Sequence, residues 1–361
     1  MKKQISILMH NGGRLGNQVW LMMSVYAYCM ETSKEFDARC FFEYQEYFAL
    51  KSRSILSNLL AKVYFRLTNR YPRKESLIRK FFYEPYTTWV DMFTFVRRKS
   101  VLVDPDQIHQ LTFKIFIWKR YRFFVELFVN PFKKHPSNDK PIFIARTTSK
   151  IITLPPSKST DIENGISIDT MLKGNPETLY LYGWLFRNPQ GMEKYRKAII
   201  EKFVPKTYII EKIQNHINEI RKDFKKIVGI HIRLGDTVNE KLDNDRISFH
   251  ETEVYEILLN YLNFFKYNSD DVCFVICSDG KINKGVFGKL NITITNYRAV
   301  EDLWILSKTD TIIGADSSFA ASASYLGNIP FIVFKRGTID WEYYKDKNSF
   351  FINKYVKKFI Y

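Results

Sequence analysis

The feature that most restricts the fold is the alternation in the second half of the chain. Segments 227–232, 271–277, 291–296, 311–314 and 330–334 are short apolar runs bounded by Gly, Pro, Asn or Asp, and they read as strands. Helical patterns fall between them. One starts at a capping-box pair, Ser248 with Glu251, and reaches about Phe265; another covers 300–308; a third opens at Ser317 and runs to about Leu326. Parallel neighbours need a crossover and antiparallel ones do not, so strand and helix in turn imply a parallel sheet with helices on its faces. This half is expected to be a Rossmann-like α/β domain.

In such a sheet the ligand sits beyond the carboxyl ends of the strands. Three of those ends carry polar side chains: His231, Arg233 and Asp236; Ser278 and Asp279; Asp316, Ser317 and Ser318. Period-2 alternation puts His231 and Arg233 on one side of the strand's end, with Ile230 and Ile232 on the other. A guanidinium is a permanently charged planar fork that suits a phosphate. The plain alternative for this stretch is a surface Arg233–Asp236 pair, which is worth little. Ser317 and Ser318 open a helix, where free N–H groups and hydroxyls can hold phosphate oxygens. Ser317 by itself would be an ordinary N-cap. Together with Arg233 the pair describes a diphosphate cradle that requires no metal. The Asp104-Pro105-Asp106 triplet has the letters of a metal motif but reads as a turn.

The first half opens with a short strand over 4–9, the run Asn11-Gly12-Gly13-Arg14-Leu15-Gly16-Asn17-Gln18, and an apolar helix to about Met30. Strand, glycine-rich turn and helix begin many nucleotide-binding units, since glycine lets a backbone come close and the helix start offers N–H groups. The spacing matches neither G-x-G-x-x-G nor a P-loop. Later, 178–183 reads as a strand, 187–191 as a turn and 192–203 as a helix broken at Val204-Pro205, ahead of a charged helix over 206–225. A boundary there divides the chain into 1–205 and 206–361.

Charge is unevenly spread. The chain of 361 residues carries a formal net charge of +17. Segment 51–150 holds 21 Lys and Arg against 7 Asp and Glu, an excess of 14, interleaved with aromatics as in Lys62-Val63-Tyr64-Phe65-Arg66 and Lys119-Arg120-Tyr121-Arg122-Phe123-Phe124. Such patches can stack bases or lie on anionic lipid, and the plain alternative is helices that turn their aromatics inward. Long aliphatics accompany the rings and no nucleic-acid motif does, so residues 51–135 are expected to contact an anionic membrane surface and no nucleic acid is expected. The cysteines (Cys29, Cys40, Cys273 and Cys277) lack zinc-site spacing, which suits a reduced, cytoplasmic protein, peripheral on the inner face of the cytoplasmic membrane. No run reaches the ~18–20 apolar residues that span a bilayer.

Several of these residues together resemble a family. Asn11 to Gln18 resembles the Gly-Gly-x-Gly-Asn-Gln opening of the alpha-1,2-fucosyltransferases, glycosyltransferase family 11. His231-Ile-Arg-Leu-Gly-Asp236 is similar to that family's His-x-Arg-x-Gly-Asp motif. Glu301-Asp302-Leu303, Ile312-Ile313 and Ser317-Ser318-Phe319 are similar to its Asp-Leu…Ile-Ile-x-Asn-Ser-Ser-Phe block, and Leu181-Tyr182-Gly183-Trp184 with Glu193-Lys194-Tyr195 to its Gly-Tyr-x-Gln…Tyr-Phe stretch. The motifs stand in the family's order over most of the chain, the basic segment excepted.

The resemblance implies an α/β, GT-B-like protein: two Rossmann-like domains facing a central cleft, with a basic aromatic-rich insertion in the N-terminal half. Domain 1–205 would serve the acceptor and 206–361 the nucleotide-sugar donor. The implied activity is an inverting, metal-independent transfer of fucose from GDP-fucose to a galactoside hydroxyl in an alpha-1,2 linkage, for a surface glycan or lipopolysaccharide, with no cofactor beyond the donor substrate. Arg233, Asp236 and Asn17 would be catalytic. Arg233 would stabilise the departing diphosphate, and Asp236 would act as base or orient Arg233. His231, Arg233, Asp279, Asp316, Ser317, Ser318 and Phe319 would bind the donor, with Asp279 near the base. Gly12, Gly13, Arg14, Gly16 and Gln18 would form a loop of the opposite domain, carrying Asn17 into the cleft. The chain departs from the family at Asp316 (for Asn), at Gly280 (for the second acid of Ser-Asp-Asp) and at Ala-Ser-Ala-Ser (for Trp-Trp). Two alternatives stand beside this reading: a related glycosyltransferase with another nucleotide sugar, and a polyanion- or nucleic-acid-binding protein.

Overall fold

The computed structural model describes residues 5–9, 14–39, 41, 43–71, 75–79, 101–103, 152–153, 178–182, 186–234, 249–337 and 339–346. These fall into two compact units: residues of 1–14 and 21–204 in the first, and residues of 15–20 and 205–360 in the second. Among the described residues no helix is long and apolar enough to cross a membrane.

The first unit is built on β1 (Ile5–Met9), β2 (Glu35–Asp37), β3 (Val101–Val103) and β5 (Thr178–Tyr182), paired in the order β2-β1-β5-β3 and all parallel. Strands β4 (Ile152–Thr153) and β6 (Phe186–Arg187) form a separate parallel pair. Helix α1 (Leu15–Glu31) supplies residues to both units, those from Leu21 onward belonging to the first. Phe203 is fully buried there, among the rings of Tyr26, Phe36, Phe41 and Phe48. Helices α2 (Ile55–Arg70) and α3 (Glu75–Ile78) follow. The single helix expected over 192–203 is two, α4 (Pro189–Lys194) and α5 (Arg196–Lys202), interrupted at Tyr195. Asn188 starts α4 earlier than expected, because its side chain accepts from the Gly191 N–H at 2.9 Å.

The second unit is a five-stranded parallel sheet in the order β11-β10-β7-β8-β9, with β7 (Lys226–Ile232), β8 (Val272–Ser278), β9 (Ile292–Ile294), β10 (Thr311–Gly314) and β11 (Phe331–Val333). The α/β class and parallel sheet expected from the alternation are what this unit adopts. From Ile227 to Ile232 every residue of β7 is buried, as a strand covered on both faces requires. One face packs Val228, Ile230, Ile232, Phe274, Ile276 and Ile313 against Val254, Leu258, Tyr261 and Leu262 of α7 (Glu251–Phe265). The other carries α6 (Thr207–Asp223), α8 (Ala299–Leu306) and α9 (Ser318–Gly327), followed in the chain by the short α10 (Trp341–Tyr344). Gly229 is required on that face: a Cβ would lie 2.7 Å from Leu306 Cδ2 and 2.9 Å from Thr309 Oγ1.

The cap of α7 differs from expectation. His250 occupies the N-cap, and its backbone N–H donates to Glu253 Oε2 at 2.7 Å. Glu251, the expected member of the box, accepts instead from the Asn283 N–H at 2.6 Å.

Candidate functional site

Strand order locates the site before any side chain is considered. The chain lays down β7, β8 and β9 in one direction, then returns to place β10 and β11 on the other side of β7. The topological switch point therefore lies between β7 and β10, where the loops beyond the two carboxyl ends diverge and leave a crevice.

His231 stands at that edge, opposite Gly314 of β10 on one side and Cys277 of β8 on the other. The strands come unusually close. A Cβ on Gly314 would lie 2.9 Å from both the Cβ and the carbonyl oxygen of His231, and the Ala315 N–H donates to that carbonyl at 3.0 Å. The chain then passes buried Asp316 to Ser317, whose hydroxyl caps α9 by accepting from the Ala320 N–H at 3.3 Å. The same hydroxyl lies 3.2 Å from His231 Nδ1, and the Phe319 ring stacks on the imidazole with centroids 5.0 Å apart. Burial pulls the His231 pKa down to about 4; the nearby Asp279 carboxylate opposes that shift and Arg233 adds to it. At neutral pH the ring is an uncharged hydrogen-bonding wedge against the start of α9.

Arg233 follows β7 directly and is half-buried. Asp279 follows β8, is exposed, and accepts from the Leu234 N–H at 2.8 Å, so it fastens the segment that carries Arg233. Gly280 has a steric reason: a Cβ there would lie 2.6 Å from the Cβ of Leu234, leaving no room for a second acid.

The head of α1 completes this unit. Leu15–Trp20 belong with it, so Asn17 is a first-turn helical residue of the same unit as His231, and not a loop residue of the opposite one. Gly16 and Gln18 are likewise helical and buried, while Arg14 is exposed just ahead of the helix. A Cβ on Gly16 would lie 2.5 Å from the Phe319 amide nitrogen, so the two helix starts meet backbone to backbone. The Ser318 hydroxyl donates to Asn17 Oδ1, the Ser322 hydroxyl donates to the Gly16 carbonyl at 3.4 Å, and Trp20 meets Tyr325 edge to face. Residues Ala320 to Ser324 are all buried, which accounts for small side chains where the resembled family has tryptophans. The expected positions Gly12, Gly13 and Asp236 lie outside the described residues.

Sequence reasoning gave no separate weight to Asp302. It sits buried on α8, with the Cys277 thiol directed at its carbonyl oxygen at 3.9 Å. Burial pushes its carboxyl up to about 6, against the pull of Thr295 and Cys277 beside it. Acids in the first turn of a helix usually signal a favourable dipole term only, and nothing local marks this one as buried. Among the described residues no three His, Cys, Asp or Glu side chains form a group suited to a metal ion.

No protein-family model matches the chain, and no curated protein does. Solved structures do. A crystal structure described as POFUT1 in complex with GDP-fucose is 14% identical, with a TM-score of 0.49 over 91% of this chain and 97% of that one. One described as NodZ alpha-1,6-fucosyltransferase soaked with GDP-fucose is 12% identical, with a TM-score of 0.41 over 91% and 94%. A fucosyltransferase NodZ from Bradyrhizobium is 14% identical, with a TM-score of 0.41 over 91% and 96%.

Proposed function

We propose that this chain is a glycosyltransferase that moves fucose from GDP-fucose to a sugar hydroxyl. The observation that carries the reading is the convergence at one switch point: β7 brings His231 and Arg233 there, and β10 brings Asp316, Ser317 and Ser318 at the start of α9. Cleavage of a glycosyl phosphate builds negative charge on the leaving diphosphate, and preorganised positive charge and N–H dipoles stabilise it. In this reading Arg233 and the N-terminus of α9 receive that charge, with the Ser317 hydroxyl completing the cradle and the Ser318 hydroxyl joining it by turning its one proton from Asn17 Oδ1 to the phosphate. His231, uncharged, holds Ser317 and supports Phe319, so it orients and does not compete for the phosphate. Asp279 keeps Arg233 in place through Leu234. Asn17, tied to Ser318, presents its remaining amide group beside the same helix start.

The finer reading follows the motif order: a GT-B enzyme, inverting, forming an alpha-1,2 linkage to a galactoside of a surface glycan or lipopolysaccharide, at the cytoplasmic face of a membrane. Asp236 is the proposed base, or the partner that orients Arg233. Incubation with GDP-fucose and a panel of galactosides tests this through GDP release. Acceptor-dependent release from GDP-fucose supports it. Release from a different nucleotide sugar alone transfers the reading to that donor, and silence across all donors removes it.

A further inference from the structure

Among the described residues, helix α2 turns one face inward and leaves the opposite one exposed. Its inner side is Ser57, Ala61, Tyr64 and Thr68, all buried at helical spacing. Polar contacts pin that side firmly. The Ser57 hydroxyl donates to the Arg39 carbonyl at 3.2 Å, and Asn58 accepts from the Ser52 N–H at 2.9 Å and from Gln45 Nε2 at 2.7 Å. Tyr64 bonds to the buried Glu43, which also pairs with Arg79. The orientation of the helix is thus fixed from within.

The outer side is Ile55, Leu59, Lys62, Arg66 and Arg70, again at steps of three and four, so these five side chains share one stripe. Ile55 is 86% exposed and Leu59 56%. Ile55 and Leu59, one turn apart, are the two most exposed large hydrophobic side chains among the described residues. Beside them stand three cations, and residues 51–71 contain five Lys and Arg and not one Asp or Glu. Among the described residues, Arg53, off the stripe, pairs with an acid from elsewhere, Glu35 at 2.9 Å. Tyr71, exposed at the end of the helix with Arg70 near its ring, adds a side chain suited to a water–lipid boundary.

We propose that this stripe of α2 docks on an anionic lipid bilayer, with Ile55 and Leu59 entering the headgroup layer and Lys62, Arg66 and Arg70 resting on lipid phosphates. A nucleic acid would match the cations but gives no role to the aliphatics, which a bilayer accommodates. Among the described residues the basic segment offers these five side chains for the contact; most of 72–135 lies outside the described residues. It is independent of the donor chemistry, so vesicle binding and GDP release succeed or fail separately.

The test is co-sedimentation of the full chain with vesicles of phosphatidylcholine alone, and with vesicles containing phosphatidylglycerol. Binding is expected only to the anionic vesicles, and it weakens with salt. Lys62→Gln/Arg66→Gln/Arg70→Gln is expected to lower it by about 100-fold, near five-fold per cation. Ile55→Ser/Leu59→Ser keeps every charge and is expected to lower it by about 10-fold or more. Both sets of positions are exposed, and circular dichroism confirms folding. Equal binding to neutral vesicles overturns the proposal, as does wild-type binding by either variant. So does an oligonucleotide that displaces the protein from vesicles while Ile55→Ser/Leu59→Ser leaves vesicle binding unchanged.

Discussion

The two ends of the second unit's sheet use the same residue types differently. At the amino end, Arg221 of α6 presents two N–H groups to Asp310 at 2.5 and 2.9 Å, and Asp310 also accepts from the Ile227 N–H at 2.7 Å. Arginine and aspartate there satisfy each other and clamp the start of β7. At the carboxyl end Asp279 bonds to the backbone of Leu234, and Arg233 lies at a switch point beside the positive start of α9. One end is a closed pair that stabilises the sheet. The other places a half-buried cation just past β7, at the switch point with the start of α9.

The largest expected effect tests that contrast directly. Arg233→Ala should lower acceptor-dependent GDP release by about 10³-fold or more, with an unchanged melting temperature. Turnover within ten-fold of wild type would break the comparison, since the carboxyl end would then be no more functional than the amino end.

A packing change should act on the same end from the α1 side. Gly16→Ala puts a methyl 2.5 Å from the Phe319 amide nitrogen, which is backbone and cannot rotate away. Overpacking of this kind costs about 1–3 kcal/mol, and it must shift the start of α9. Both a lower melting temperature and a GDP affinity weakened by about 10-fold or more are expected. A destabilised variant with normal GDP affinity would separate α1 from the site.

Titration sharpens the comparison further, because the carboxyl end contains two buried groups with opposite pH slopes. His231 binds a proton in the unfolded chain below about 6.5 and in the folded one only near 4, so its contribution to stability is lost as pH falls through that interval. Asp302 keeps its proton to about 6 when folded and to 3.8 when unfolded, so its contribution is lost as pH rises from about 4 to 6. Each shift amounts to about 3 kcal/mol, and in the wild type they largely cancel. Asp302→Asn should expose the His231 slope, with the urea midpoint falling between pH 6.5 and 4 and higher than wild type at pH 7. His231→Gln should reverse it, with the midpoint rising on acidification from pH 6 to 4. Parallel profiles for both variants would show that neither group is shielded as described.

Much of this end was legible in sequence because its signals are local. The β-branched run into His231 and Arg233 names a strand and its exit, and Ser317 ahead of small residues names a helix start. What was not legible depends on residues about 300 positions apart. Nothing around Gly16 says that its missing side chain is needed by the Phe319 backbone, so a glycine-rich turn was the natural reading of a helix head. The α7 cap shows a smaller failure of the same kind. The Ser248–Glu251 spacing satisfies the capping-box pattern, but the Asn283 amide takes Glu251, a competition visible only after folding. Asp302 likewise looks like a first-turn acid until α8 is packed over β8.

The smallest expected effect completes the contrast from the amino end. Arg221→Ala removes both charge-assisted bonds to Asp310 but leaves the Ile227 N–H on the carboxylate, so the acid stays partly satisfied in a half-exposed position. A loss of about 2 kcal/mol in unfolding free energy is expected, read from urea denaturation, with GDP affinity and the rate of GDP release unchanged. The two arginines lie at the ends of one strand's connections, and the variants should therefore separate cleanly: Arg233 moves activity and not stability, Arg221 stability and not activity. If Arg221→Ala also weakened GDP binding, strain would be passing along β7 from one edge to the other, and the division of labour between the two ends would fail.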